Sequence, residues 1–442
     1  MKKQTLDLPV INHHAAGIDV GSKEHWVAIG QNDTDVKIFG VYTKDYQSMV
    51  EWLNENAVTS IVMEATGSYW QTLFSHLEKA GFEVLLCSSK TIKNPAGKTD
   101  KKDSRWLQKL HTLGLLKPSF IPEKQIEELR QYTRYRHNIM LDASAHANRI
   151  QKILHLLNVR LDVVFSDVMG ASGMKIIKAI LAGERCGEAL AAMANNGIKK
   201  SKQEIALALV GNWKKELLFQ LADVLSLYER LQESIIKTEI QIEELLKEIN
   251  KENAALYNDS LTKKKKQKGQ YKIDVAGLSY QYFGVDLMAI DGVAHNTVMT
   301  LISEVGMDIK KFKTAKTFAS WLRLCPNNKT SGGKILSSRT PRSKNLLAHA
   351  FRNAANTIAQ RKEGSLKVFF SRIAFKKGRG AAISATARKI AVIVWNMILK
   401  QTPYLPIEEN NYKEKIKKNC TNNIRKTMQR LNISVDELVF SR

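Results

Sequence analysis

Acidic residues are nearly missing from one long stretch late in this chain. Between Lys310 and Lys400 there are 21 basic residues and one acid, Glu363. An ordinary solvated surface mixes both signs, so this stretch argues for a polyanionic partner. Cysteine is also scarce. Cys87, Cys186, Cys325 and Cys420 lie far apart with no CxxC spacing, which excludes a CxxC-type zinc site and a disulfide framework and points to a reducing, cytoplasmic setting. No signal-peptide pattern is seen at the N-terminus. The most apolar late run, Ile390 to Leu399, is too short to cross a bilayer and reads as a buried helix. No membrane association is expected, and no internal repeat is present.

What is there is size and positive charge. The 442 residues suffice for two or three domains with a substantial core. Lys and Arg total 68 against 43 Asp and Glu, a net charge of +25. Nucleic acid is the default partner, with an anionic membrane surface as the lesser alternative. The first 64 residues reverse the balance, with five basic and nine acidic residues. Acidic chemistry and the grip on a polyanion therefore belong to different parts of the chain.

Residues 15 to about 115 alternate strand and helix signals. Strands are expected at 15–20, 25–30, 36–41, 58–64 and 82–87. Helices are expected at 45–55 and 69–80, with another starting near Thr99. Three sequential strands followed by strand–helix alternation give an RNase H-like order, an α/β domain with helical regions after it. From Glu123 to Leu157 the pattern is helical and polar-rich. From Leu217 to Ile249 apolar residues follow a 4-3 spacing over about five heptads, the pattern of a coiled-coil seam, with Thr238 as its polar position. The partner helix belongs either to the same chain or to another protomer. Residues 258–272 read as a basic, flexible linker, and a new helical domain is expected from about Val285.

Four acids stand out. Asp19 sits in an apolar run closing on Gly21, Glu64 ends the run Ser60-Ile61-Val62-Met63, and Asp100 and Asp103 lie i, i+3 at a helix start. Singly, each has a plain explanation as a turn, strand-end or helix N-terminal residue. Jointly, four carboxylates at strand ends and on one helix face would repel one another unless divalent cations joined them, and such a site serves in-line attack at phosphorus. The segment Gly17-Ile18-Asp19-Val20-Gly21-Ser22 also resembles the first phosphate loop of actin-like ATPases, but the second Asp-x-Gly turn those folds need is not found.

A second constellation is Asn327-Asn328-Lys329-Thr330-Ser331-Gly332-Gly333-Lys334, inside the most basic segment. Its residues suit phosphate binding, and Ser331 could instead attack phosphate. Asp291-Gly292-Val293-Ala294-His295 is similar to the glycine turn of helix-hairpin-helix modules, with His295 as a turn residue. Further candidates for contact with nucleic acid are Arg339, Arg342, Lys344, Lys376, Lys377 and Arg379, together with Lys329 and Lys334.

Taken in order, Gly-Ile-Asp19-Val, Met-Glu64-Ala-Thr-Gly, Asp100-x-x-Asp103-Ser, a coiled-coil region, a late glycine turn and Pro-x-x-x-x-Ser331-Gly resemble the DEDD transposases of insertion sequence family 110. The resemblance covers most of residues 10–400. It implies a RuvC-like (RNase H-like) catalytic domain at 1–117 and a helical and coiled-coil region at 118–257. A basic linker or insertion at 258–283, a mostly helical transposase domain at 284–400 and a basic helical tail at 401–442 would follow. It implies Asp19, Glu64, Asp100 and Asp103 as magnesium ligands, with manganese as an alternative, and Ser331 as the nucleophile that joins to DNA. It also implies donor and target DNA, a structured bridge RNA and an oligomer, and the seam at 217–249 is expected to hold a dimer or tetramer. A RuvC-like nuclease using water and a non-enzymatic nucleic-acid binder are the rival readings.

Overall fold

The computed structural model describes residues 8–431 except 66, 89–98, 196–199, 257, 259, 267, 342–344 and 407–408. It divides into two compact units, Met1–Ile121 and Pro122–Arg442.

The first unit is a five-stranded mixed sheet with helices on both faces. Its elements are β1 (Ala15–Val20), β2 (His25–Ala28), β3 (Val36–Phe39), α1 (Thr43–Glu55), β4 (Ser60–Glu64), α2 (Trp70–Lys79), β5 (Glu83–Cys87) and α3 (Asp100–Thr112). The spatial order is β3-β2-β1-β4-β5. β1, β2 and β3 form an antiparallel meander, while β4 and β5 run parallel to β1. This is the RNase H-like order expected, with each strand within about two residues of its predicted bounds.

The two faces of the sheet separate cleanly. Ile18, Ile61 and Met63 join Leu53, Leu73 and Leu77 of α1 and α2 in one core. Val62 and Cys87 meet Leu107 of α3 on the other face. Gly17 is required there. A Cβ would stand 2.3 Å from Gln108 N and 2.5 Å from Ser104 O, both backbone atoms, so any side chain would push α3 off the sheet.

Among the described residues, the second unit is helical apart from one hairpin. It opens with the long α4 (Lys124–Leu156) and four shorter helices, α5 (Leu161–Val164), α6 (Ala171–Leu181), α7 (Gly187–Ala192) and α8 (Lys202–Ala208). Next comes α9 (Lys215–Ile249), and then α10 (Val275–Phe283), α11 (His295–Glu304) and α12 (Ala315–Trp321). The hairpin β6 (Lys329–Ser331) and β7 (Lys334–Ser337) precedes α13 (Leu346–Gln360), α14 (Ser365–Lys377), α15 (Arg379–Lys400) and α16 (Glu409–Leu431).

The seam of α9 lies against α4 of the same chain. Leu221, Tyr228 and Ile235 share a core with Ile139, Ala143 and Ile150. The pair is antiparallel: Asn212, just before α9, donates to Leu157 O at the end of α4, while Arg136 nearer the start of α4 pairs with Glu239. Of the two partners expected for the seam, a helix of the same chain is the one these residues meet.

The segment 258–272 also departs from expectation. Lys263, Lys265, Lys266 and Lys268 are exposed, but two of the lysines are tied to backbone carbonyls. Lys264 Nζ donates to Ile290 O (3.0 Å) and Val293 O (2.5 Å), and Lys266 Nζ to Lys272 O (2.6 Å) and Ile273 O (2.9 Å). Tyr271 is buried, with the Arg136 guanidinium 3.7 Å from its ring centroid. Arg136, in turn, is paired with Glu239 at 2.6 Å, and Glu239 accepts from Lys272 N at 2.8 Å. One buried ion pair therefore ties together α4, α9 and the chain that follows α9. The helical region after it begins at Val275, ten residues earlier than the expected start.

The apolar run at Ile390 belongs to the longer α15, which by length and composition alone could cross a membrane. Here Ala387, Ile390, Ala391, Val394 and Ile398 are buried, and α15 packs on α12, α13 and α14. It is a core helix of this unit.

Candidate active site

The expected acids come from three elements of the sheet unit. In β1, Ala16, Ile18 and Val20 face the core with α1 and α2, so the alternation turns Asp19 toward the face that α3 covers. In β4, Ser60 and Val62 face α3, and Glu64 follows on the same side. The parallel ladder pairs Ile18 with Met63, and Asp19 and Glu64 stand one step beyond that pair.

The position of α3 follows from two contacts. His111 Nε2 lies 2.7 Å from Ser60 Oγ, and Ser104 and Gln108 lie over Gly17. The helix therefore runs opposite to β1 and β4. At about 1.5 Å of rise per helical residue and about 3.3 Å per strand residue, the two strand residues from Gly17 to Asp19 correspond to about four residues of helix. That leads back to the first turn of α3, where Asp100 and Asp103 stand. The start is fixed by Thr99, whose side chain accepts from Lys102 N, and the two acids complement the helix dipole.

Asp19, Glu64 and Asp103 are half-buried and Asp100 is exposed. The backbone thus carries all four toward one end of the sheet. The side chains are not drawn into a closed cluster: among the described residues, no three His, Cys, Asp or Glu side chains surround a point where a metal ion would be held. The four expected residues are nevertheless all carboxylates, the ligand chemistry that hard divalent cations take.

The sequence reading missed Asp33. Its carboxylate meets Lys101 Nζ at 3.0 Å and also bonds Arg105. These hydrogen bonds, that from Lys101 first, hold Asp33 below the ordinary carboxylate range. Asp33 thus engages two cations that flank Asp103 on α3.

Ser331 belongs to the helical unit. It is exposed at the end of β6 and pairs with Lys334 across the hairpin. Gly332 (φ 53°) and Gly333 (φ 75°) make the two-residue turn, and both take the left-handed backbone that favours glycine in such hairpins. Lys329, Lys334 and Arg339 are exposed around the same hairpin. Arg342 and Lys344 lie outside the described residues. Lys376, Lys377 and Arg379 are exposed where α14 meets α15, and Arg379 donates to Asn356 Oδ1 at 2.6 Å.

The glycine turn before α11 packs inward. A Cβ on Gly292 (φ 77°) would stand 2.4 Å from Ala354 O of α13. His295 is buried, its Nδ1 2.9 Å from Gln270 Oε1, and burial holds its pKa below the usual value. Beside this turn is a cleft of about 790 Å³ that sequence reasoning did not anticipate. Its charged lining consists of Arg134, Arg136, Lys264, Lys265 and Arg361 against Glu304 alone. Glu304 accepts both bonds of the Arg134 guanidinium at 2.8 Å.

Comparison with known proteins now bears on this arrangement. Residues 16–159 match the family model of a DEDD transposase of the IS110 type. Residues 286–370 match the model of a transposase of the IS116/IS110/IS902 family. Together the two matches span just over half of the chain. No curated protein matches it. The first match covers the sheet unit that carries Asp19, Glu64, Asp100 and Asp103, and the second contains the hairpin with Ser331. This chain belongs to the IS110-family DEDD transposases, enzymes of mobile elements that act on DNA.

Proposed function

We propose that this transposase cuts and rejoins DNA with Ser331 as nucleophile and the four acids as its metal-binding half. What supports the reading is that Asp19 and Glu64 stand one step beyond a paired position on parallel strands, and that α3, which runs back along them, begins with Asp100 and Asp103. Asp19, Glu64, Asp100 and Asp103 would hold magnesium, or manganese in its place, which supplies charge neutralisation at the scissile phosphate. Closing the four around an ion falls to rotation of side chains anchored on strand ends and a capped helix.

Ser331 is exposed at a cationic hairpin tip, where a phosphodiester can approach it. Its Oγ attacks phosphorus and loses its proton, the bond from phosphorus to the departing sugar oxygen breaks, and that oxygen takes up a proton. The phosphoserine link keeps the energy of the broken bond, so a second sugar hydroxyl can reverse the step and join a new strand. Lys329, Lys334 and Arg339 hold phosphates beside it, and Lys376, Lys377 and Arg379 extend the grip. The family resemblance further supports guidance by a structured bridge RNA paired with donor and target DNA.

Denaturing electrophoresis after incubation with cognate DNA and magnesium tests the reading. The wild-type protein should give a covalent protein–DNA band, and Ser331→Ala should lose it with DNA affinity nearly unchanged. Free cut DNA without an adduct would replace the serine mechanism with attack by water.

A further inference from the structure

Phe375 is 93% exposed, more than any other large hydrophobic side chain among the described residues. The fold does not account for it. α14 buries Leu366 and Phe370, and Phe375 lies about 140° around the helix from Phe370. Ser371 and Arg372, one turn earlier on its own face, are exposed. Phenylalanine is also among the poorer helix formers, so an outward ring does not serve the helix either.

The surroundings point to a ligand. Arg372, Lys376, Lys377 and Arg379 are all exposed on the same stretch. Arg372 is one turn before the ring on its face, while Lys377 lies about 200° around the helix and, with Arg372 and Lys376, borders Asn419 and Asn423 of α16. No acidic residue occurs between Glu363 and Glu408. Gly378 and Gly380 have nothing within 4 Å of where a Cβ would stand, which leaves the corner open to a closely approaching strand. Cations attract phosphates without regard to base pairing, whereas an aromatic face recognises only a base whose own face is uncovered.

We propose that Phe375 stacks on an unpaired base of a nucleic-acid strand whose phosphates are held by Arg372, Lys376, Lys377 and Arg379. The proposal rests on the nucleic-acid grip assigned above to Lys376, Lys377 and Arg379, and adds a contact that distinguishes single strands from duplex. A helix corner carrying one ring among four cations would capture a strand at the point where it leaves a duplex.

The test is fluorescence anisotropy of the full chain with labelled oligothymidylate, oligouridylate and a blunt DNA duplex. Loss of one base–aromatic stack costs about 1–3 kcal/mol, which is about 5- to 150-fold in affinity. Phe375→Ala should weaken single-strand binding by about fivefold or more on at least one single-stranded probe, and Phe375→Leu should do nearly as much, since a leucine has no ring face. Phe375→Trp should bind as tightly as wild type or tighter. The salt dependence should keep its slope, because no phosphate contact is lost, and duplex affinity should not change. Binding by Phe375→Ala equal to wild type on both single strands overturns the stacking, as does full retention in Phe375→Leu or an equal loss on duplex. Absence of binding by the wild-type chain to all three probes would instead bring down the underlying nucleic-acid grip. The ring is exposed, so the three variants should melt with the wild type.

Discussion

Ser60 Oγ stands 2.7 Å from His111 Nε2, in a buried contact between the start of β4 and the far end of α3. This pair and the Gly17 crossing fix how far α3 is drawn back along the sheet. They therefore decide where its first turn, with Asp100 and Asp103, stands relative to Asp19 and Glu64.

Gly17→Ala tests that placement. The new methyl would meet the backbone of α3 at 2.3 Å, so the helix must shift. Overpacking of this kind costs about 1–3 kcal/mol. Urea unfolding should show the loss, and strand cleavage should fall by more than the unfolded fraction explains. Wild-type cleavage by a Gly17→Ala protein would mean that the crossing does not position the acids.

Asp19→Asn and Asp103→Asn each remove a charged oxygen donor. Strand cleavage is expected to vanish in both, with DNA affinity largely kept because the basic residues lie in the other unit. Calorimetric titration with manganese should show weaker binding in each variant. Cleavage retained in both would remove these acids from the mechanism.

Glu239→Ala would leave the Arg136 guanidinium buried without its carboxylate. Breaking one side of a buried pair costs about 3–5 kcal/mol, and Glu239 also accepts from Lys272 N. Chemical denaturation should register most of that loss. Replacing both partners with methionine should recover much of it, as apolar side chains of similar volume often do.

Acid should weaken the sheet unit through two histidines. Burial lowers the pKa of both His25 and His111 below the ordinary histidine value of about 6.5. Between the folded and unfolded pKa values the unfolded chain binds more protons, so stability is complete above about pH 6.5 and is lost as pH falls through the folded values. His25 has no hydrogen-bond partner on either ring nitrogen, so His25→Phe should reduce the pH dependence. Unfolding midpoints that fall equally in wild type and variant from about pH 7 to about pH 5 would exclude His25 as a contributor.

Much of the sheet unit was legible locally. Apolar runs such as Ala15–Val20 and Ser60–Glu64 end on turn residues, and Thr99 announces the start of α3. The Ser331 hairpin was not read, although Gly332-Gly333 is a two-residue hairpin signal. Its strands are polar and exposed, so no apolar alternation framed the turn. The 217–249 seam showed its period but not its partner, because α4 mixes Ile139 and Ile150 with many polar residues. Lys264 and Lys266 looked like part of a solvated charge run. Their ammonium groups satisfy carbonyls some 6 to 29 residues away, which no local pattern encodes. The candidate site showed in the sequence as four acids, whereas the pairing of Asp33 with Arg105 spans 72 residues of sequence.

The antiparallel pairing of α4 with α9 also sets a schedule for the growing chain. Arg136 is made roughly one hundred residues before Glu239. At synthesis rates of about 5–20 residues per second, α4 emerges from the ribosome about 5–20 s before the part of α9 that completes it. Throughout that interval its apolar flank is exposed, and the basic segment ending at Tyr271 cannot dock until both helices are in place. Slowing translation within α5–α8 should therefore raise the share of chains captured by chaperones, while a delay after residue 275 should have far less effect.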